Sequence, residues 1–252
     1  MSDRLSGRAA IVTGAGQGIG RGIALALAKE AASVALVGRT AAKLEAVGGE
    51  VRQTGGTALV VACDVSDRTG VNSMVERVAT AFGGVDILIN NAQDSVQRLL
   101  AETTDDDVER AYRSGPVATL YAMQACLPHL KVRGGSIVNF GSSTALQGSE
   151  TFGSYAMAKE AIRGLSRVAA REWGQYDIRV NCVCPASLSP SAQAWASKDE
   201  ERFARVLRSI PLGRMGDAEQ DIGRAVTAIV SDDLRYLTGA TLVLEGGRVI
   251  YG

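Results

Sequence analysis

The segment SYAMAKEAIRGL places Tyr155 and Lys159 four residues apart at the start of a helical pattern. Side chains at i and i+4 share one helix face. A free tyrosine has a pKa of about 10, and a neighbouring ammonium favours the phenolate and lowers that value. A tyrosine tuned in this way trades a proton with a carbonyl or alcohol oxygen near neutral pH. Thirteen residues upstream, NFGSST closes an apolar run and puts Ser142 at its carboxyl end. A serine hydroxyl there is placed to donate to the same substrate oxygen. Taken alone the tyrosine-lysine spacing is a weak signal; joined to the serine and to the turn described next, it is a strong one.

That turn is TGAGQGIGRG, Thr13 to Gly22, directly after the apolar run AAIVT. Within it Gly14, Gln17, Gly18, Ile19 and Gly20 are the candidates for cofactor binding. Glycine permits a tight turn and lets backbone N–H groups approach a pyrophosphate, while the following helix offers its N-terminus to the same anion. At the end of the second apolar run the chain reads LVGRT. An acidic residue at that point would hydrogen-bond the adenosine ribose hydroxyls. Gly38 stands there instead, followed by Arg39. With no carboxylate to repel a 2′-phosphate and a guanidinium to pair with it, NADP(H) is expected over NAD(H).

These groups need a scaffold that gathers them at one end. Seven β-rich runs, 9–13, 33–37, 58–64, 85–91, 135–141, 178–184 and 241–245, alternate with amphipathic segments such as 21–32, 41–54 and 71–82. Most runs are nearly continuously apolar, as expected of parallel strands buried on both faces. The alternation predicts a doubly wound α/β sheet. No linker or repeat divides the chain, so residues 1–252 are expected to form one domain. Residues 187–215, with Trp195 and Phe203, read as a substrate lid beyond the carboxyl ends of the strands.

The motifs TGxxxGxG, CDV (63–65), NNA (90–92), Ser142, YxxxK, IRVNCVCP (178–185), IPLGRMG (210–216) and TGATLVLEGG (238–247) together resemble the classical short-chain dehydrogenase/reductases. The resemblance covers nearly the whole chain and is nearest in style to the 3-oxoacyl-carrier-protein reductases. It implies a single Rossmann-type domain and hydride transfer between a nicotinamide and a carbonyl or secondary alcohol. It implies that Ser142 orients the substrate oxygen, that Tyr155 is the general acid/base, and that Lys159 tunes it while holding the nicotinamide ribose. By the same carry-over Asp64 and Val65 contact adenine, Asn91 and Ala92 line the nucleotide, and Pro185 to Leu188 flank the nicotinamide. It also implies a homotetramer, or a homodimer, packed through helices 104–130 and 154–173.

Three positions depart from the family pattern. Gln93 replaces a glycine after NNA, Ala186 replaces a glycine after Pro185, and Gly115 falls where the family carries a catalytic asparagine. The resemblance implies that the backbone carbonyl at this third position holds a water joining the lysine to solvent. Gly115 is followed by Pro116 in the middle of a helical run. Proline removes a backbone donor and clashes one turn back, so a kink that frees the carbonyl of Tyr112 is expected. Gly115-Pro116 would then keep the bend and that water without the amide. If the relay is instead damaged, restoring asparagine at 115 should raise turnover. Gln93 could narrow the nicotinamide pocket or reach the substrate. The departures also motivate a rival reading, a module that binds or senses NADP(H) without turnover. An enoyl reductase is a nearer rival, which a tyrosine-lysine spacing of four does not suit.

Composition narrows the partners. The 27 basic and 27 acidic residues cancel, with no basic stripe for nucleic acid or an anionic membrane. The polar N-terminus MSDRLSGR is neither a signal peptide nor a spanning helix. The cysteines Cys63, Cys126, Cys182 and Cys184 lack metal-ligand spacing with the one histidine, His129, which reads as a surface residue. They read as buried reduced thiols of a cytoplasmic protein, with no metal site.

Overall fold

A computed structural model describes residues 3–188, 197 and 199–249, apart from the side chain of Arg202. Seven parallel strands form one sheet in the order β3-β2-β1-β4-β5-β6-β7. They are β1 (Ala9–Thr13), β2 (Ser33–Gly38), β3 (Thr57–Ala62), β4 (Ile87–Asn90), β5 (Gly135–Phe140), β6 (Ile178–Pro185) and β7 (Thr241–Leu244). Every expected strand is present, with ends within two residues of the apolar runs. β1 and β4 are buried throughout, whereas the edge strand β3 is half-exposed. Burial on both faces is what their continuous apolar sequences require.

The chain winds outward through β1, β2 and β3, then returns to place β4 on the other side of β1. Val12 of β1 pairs with Ile89 of β4. The crevice beyond these two strands is the switch point where open α/β sheets bind ligands. Thr13 fixes its geometry: its hydroxyl donates to the Ile89 carbonyl at 3.3 Å and accepts from the amides of Asn91 and Ala92 at 3.0 and 3.1 Å. The Asn91 side-chain amide donates back to the Thr13 carbonyl at 2.9 Å.

Helices cover both faces. On one, α1 (Gly18–Lys29) and α2 (Ala41–Gln53) pack with Ile23, Leu27 and Leu44 against Val34 and Leu36. On the other lie α3 (Arg68–Phe82), α4 (Asp105–Tyr112), α5 (Ala118–Leu130) and α7 (Gly153–Trp173), with Met74, Met123 and Leu130 fully buried. Short α6 (Ser143–Gln147) follows β5, and α8 (Glu200–Arg208) and α9 (Arg224–Val230) lie between β6 and β7. The helix starts obey local chemistry. Asp67 accepts from the amides of Thr69 and Gly70, and Thr104 with Asp107 forms a capping box.

A buried polar chain ties α7 to the sheet. Asn90 donates to Asn139 at 2.9 Å, Asn139 donates to Ser166 at 2.9 Å, and Ser166 donates to the Ile162 carbonyl at 2.7 Å. Such a network is favourable only when its members are satisfied. Here it registers α7 against β4 and β5, and so sets where Tyr155 and Lys159 sit.

Gly115-Pro116 does not break the helix. Residues Arg113–Val117 form a π turn between α4 and α5, with right-handed backbone on both sides. The disturbance expected from the sequence takes the form of one widened turn. In the i→i−5 register the Val117 amide faces the Tyr112 carbonyl. Among the described residues no helix is long and apolar enough to cross a membrane.

Candidate active site

A cleft of about 720 Å³ opens at the carboxyl ends of β1, β2, β3 and β4. Of the residues proposed from sequence, Gly14, Gln17, Gly18, Ile19, Arg39, Asp64, Val65, Asn91 and Ala92 line it. Gly14 has φ +68°, and a Cβ there would lie 2.7 Å from Asn91 Nδ2. Gly20 does not line the cleft. A Cβ on it would come 2.3 Å from the Gly14 carbonyl oxygen, so its role is to let α1 meet the turn. The N-cap of α1, Gln17, makes no side-chain cap, leaving the first amides of the helix to an anion. These features fit a dinucleotide pyrophosphate.

Several cations gather at the far end. Lys43, one turn into α2, donates to Gln17 Oε1 at 2.7 Å. Arg39 and Arg110 share Asp94, at 3.5 and 2.9 Å. Arg113 also lines the cleft. Sequence reading found Arg39 but missed Lys43, although a second cation close behind the first was the available signal. It also missed Asp94, Arg110 and Arg113, because only the fold brings 94–113 beside 39–43. Asp64 is held below the ordinary carboxylate range, chiefly by the Ser66 amide and hydroxyl at 2.9 and 2.8 Å.

Ser142, Tyr155 and Lys159 come together at the end of β5 and the start of α7. Ser142 follows β5, caps α6 by accepting from the Thr144 amide at 3.2 Å, and its hydroxyl acts on the Tyr155 phenol. The Tyr155 ring meets Phe152 edge-on at 5.7 Å between centroids. Lys159 is buried, donates to the Phe140 carbonyl at 2.7 Å, and lies 5.5 Å from the Tyr155 ring centroid. Burial pushes the Lys159 ammonium down to about 8. Burial pushes the Tyr155 phenol up, and the Ser142 hydrogen bond pulls it part of the way back. The expectation that the phenol sits below its ordinary value is therefore corrected: burial raises it.

The remaining predicted residues flank this group. Pro185 pairs with Leu244, the Ala186 amide donates to Leu244, and the Leu188 amide donates to the Gly216 carbonyl at 3.1 Å. Leu188 itself is exposed. Trp195 lies outside the described residues. Cys126, Cys182 and Cys184 are buried free thiols, as expected, but Cys63 is half-buried at the mouth of the cleft. His129 is half-buried on α5, 3.5 Å from Glu76. Among the described residues no cluster of three or more metal-ligating side chains occurs.

The family profile described as Enoyl-(Acyl carrier protein) reductase matches residues 14–248. A 12alpha-hydroxysteroid dehydrogenase from a Clostridium species is 44% identical over 249 residues, covering 96% of each chain. The chain is a short-chain dehydrogenase/reductase. Among other members of this family, a 3-oxoacyl-[acyl-carrier-protein] reductase of Staphylococcus aureus is 33% identical over 242 residues, 95% of this chain and 97% of that one. A solved 7 alpha-hydroxysteroid dehydrogenase, complexed with NADH and 7-oxo glycochenodeoxycholic acid, superposes with a TM-score of 0.91 at 30% identity, covering 97% and 95% of the two chains. The short-chain dehydrogenase/reductase fold and an oxidoreductase acting on CH–OH or C=O groups follow from these matches.

Gln93, left open by the sequence, has a definite place. Its side-chain amide donates to the Ala111 carbonyl at 3.2 Å. A Cβ on Gly115 would lie 2.8 Å from Gln93 Nε2 and 2.9 Å from Oε1. A side chain at 115 would therefore meet the end of the Gln93 side chain, which would have to move.

Proposed function

We propose that this protein interconverts a secondary alcohol and a ketone on a steroid-sized substrate, using NADP(H), with a 12α-hydroxysteroid as the first candidate. The observation that carries the reaction is the convergence of the Ser142 and Tyr155 hydroxyls before the buried Lys159, beside a cleft shaped for a dinucleotide. The relative at 44% identity supports the substrate class.

The amides at the start of α1, with Gly14 and Gly18, would hold the pyrophosphate. Asp64 and Val65 would meet adenine, and Asn91 and Ala92 the middle of the nucleotide. Arg39 and Lys43 would take the 2′-phosphate, an anion that no acidic residue at Gly38 repels. Pro185 to Leu188 would cover the nicotinamide. When bound, the nicotinamide supplies the hydride to the carbonyl carbon or accepts it from the carbinol carbon. In reduction the Ser142 hydroxyl donates to the ketone oxygen and fixes its direction. Tyr155 gives its proton to that oxygen as negative charge develops there. Lys159 stands behind the resulting phenolate. Oxidation reverses each step, with Tyr155 taking the alcohol proton.

Residues 187–215 are proposed as the lid over the substrate. α4–α5 and α7 are proposed as the contact surfaces of a homotetramer. Met157 and Val168 on α7 are exposed, which suits burial against a second copy, and light scattering tests it. A cytoplasmic location accords with the free thiols.

The function is tested by following NADPH absorbance with a 12-oxo bile acid and, in parallel, a 3-oxoacyl thioester. Turnover of the first supports the steroid reading. Turnover of the thioester alone moves the substrate to acyl chains. Tight NADPH binding without turnover of either, or of a broad ketone panel, favours the sensing reading.

A further inference from the structure

Gln93, Gly115 and Pro116 form one interlocked unit. Pro116 sits in the π turn Arg113–Val117, and Ala111, just before that turn, is fully buried. Gln93, on the loop after β4, donates its side-chain amide to the Ala111 carbonyl from outside the helix at 3.2 Å. The end of its side chain occupies the space beside Gly115, where a Cβ would stand 2.8, 2.9 and 3.1 Å from the Gln93 Nε2, Oε1 and Cδ. Gly115 has no positive φ, so its backbone does not call for glycine.

The loop is pinned to the same turn a second time. Ser114 accepts from the Asp94 amide at 3.0 Å, and its single hydroxyl proton lies within reach of the carbonyls of Asp94 and Arg110, at 2.8 and 2.7 Å. Gln93 also lines the cleft. Its Oε1 is inaccessible to solvent and has no hydrogen-bond partner among the described residues. The donor half of the amide is thus committed to Ala111, just before the π turn, and the acceptor half is buried without a partner at the wall of the cleft.

We propose that Gln93 is a positioning residue of the active site. Its carboxamide, housed in the space that Gly115 leaves, ties the loop after β4 to the helix at Ala111 and holds Oε1 as a buried acceptor for an N–H or O–H donor of the ligand in the adjoining cleft. The amide is delivered from the loop rather than from the helix. This inference rests on the NADP(H)-linked reaction proposed above and adds to it a residue and a pairing.

The experiment is a double-mutant cycle with NADPH and a 12-oxo bile acid as probes, with melting temperature and NADPH affinity measured for each protein. Gln93→Gly removes the amide, and Gly115→Asn drives a second one into its space. Each alone should lower kcat at least tenfold, and by more than it weakens NADPH. The combined Gln93→Gly/Gly115→Asn protein, which presents one amide from the helix side, should recover kcat to within about threefold of the parent. Gln93→Met keeps the volume without the amide and should lose kcat about tenfold while remaining folded. A Gln93→Met protein with unchanged kcat overturns the proposal, as does a folded double variant whose losses simply multiply. A parent protein that binds NADPH but turns over neither probe overturns the reaction itself, and the role of Gln93 with it. An active parent with an additive cycle overturns only the role of Gln93.

Discussion

The Lys159 ammonium donates to the carbonyl of Phe140 at 2.7 Å, two residues before Ser142. One hydrogen bond thus joins the helix that carries the tyrosine to the strand end that carries the serine. The same lysine is fully buried, and its proton is held weakly, with a pKa near 8 against an ordinary 10.5.

That depression makes stability depend on pH. Between about pH 8 and 10.5 the unfolded chain keeps a proton on Lys159 that the folded chain has released. Stability therefore rises with pH through this window, and below pH 8 the full cost of burying the charge is present. A 2.5-unit shift corresponds to roughly 3 kcal/mol. Tyr155, shifted upward, acts in the opposite sense only above about pH 10. Urea denaturation from pH 7.5 to 9.5 should show the wild type gaining on Lys159→Met by about 1–2 kcal/mol. Parallel curves for the two proteins would show that the ammonium is not desolvated.

Arg39 is the residue on which nucleotide choice turns. Arg39→Ala should weaken NADPH about ten- to a hundredfold and leave NADH nearly unchanged, since a charge-assisted hydrogen bond contributes about 1.5–3 kcal/mol. Raising salt should narrow the gap in the wild type, because Arg39 is two-thirds exposed. Fluorescence titration with both nucleotides reads this. Equal losses for NADPH and NADH would mean that Arg39 holds something other than the 2′-phosphate.

Two glycines separate packing from propensity. Gly20→Ala would press a methyl to within 2.3 Å of the Gly14 carbonyl oxygen and should weaken NADPH binding more than tenfold. Gly49 lies within α2 with open space around its missing Cβ. Gly49→Ala should leave binding alone and stabilise the fold by about 0.5–1 kcal/mol. Thermal melting with nucleotide titration distinguishes the two. Intact binding by Gly20→Ala would contradict the packing assigned to the turn.

The sheet was legible because parallel strands buried on both faces write themselves as short apolar runs, and the runs at 9–13 and 135–141 could hardly be read otherwise. The glycine turn, Ser142, Tyr155 and Lys159 were legible because their spacing is local. What was not legible depends on contacts across the chain. Gln93 meets Ala111 and Gly115 only after β4 and the α4–α5 helix are docked, so neither its amide nor the reason for Gly115 shows in a local pattern. Pro116 signalled a disturbed helix correctly, but the widened turn by which the helix absorbs the missing donor is not written in the local pattern. The Tyr155 phenol followed the same logic: spacing shows a neighbouring cation, whereas burial, which decides the direction, is a property of the fold.

The most direct measurement is NADPH-linked reduction of a 12-oxo bile acid by the wild type and by Tyr155→Phe, with NADPH affinity determined for both. The predicted result is turnover by the wild type and a loss of about a hundred- to ten-thousandfold in kcat for the variant, at unchanged affinity. Comparable kcat for the two proteins would contradict Tyr155 as the proton donor and, with it, the central claim about this site.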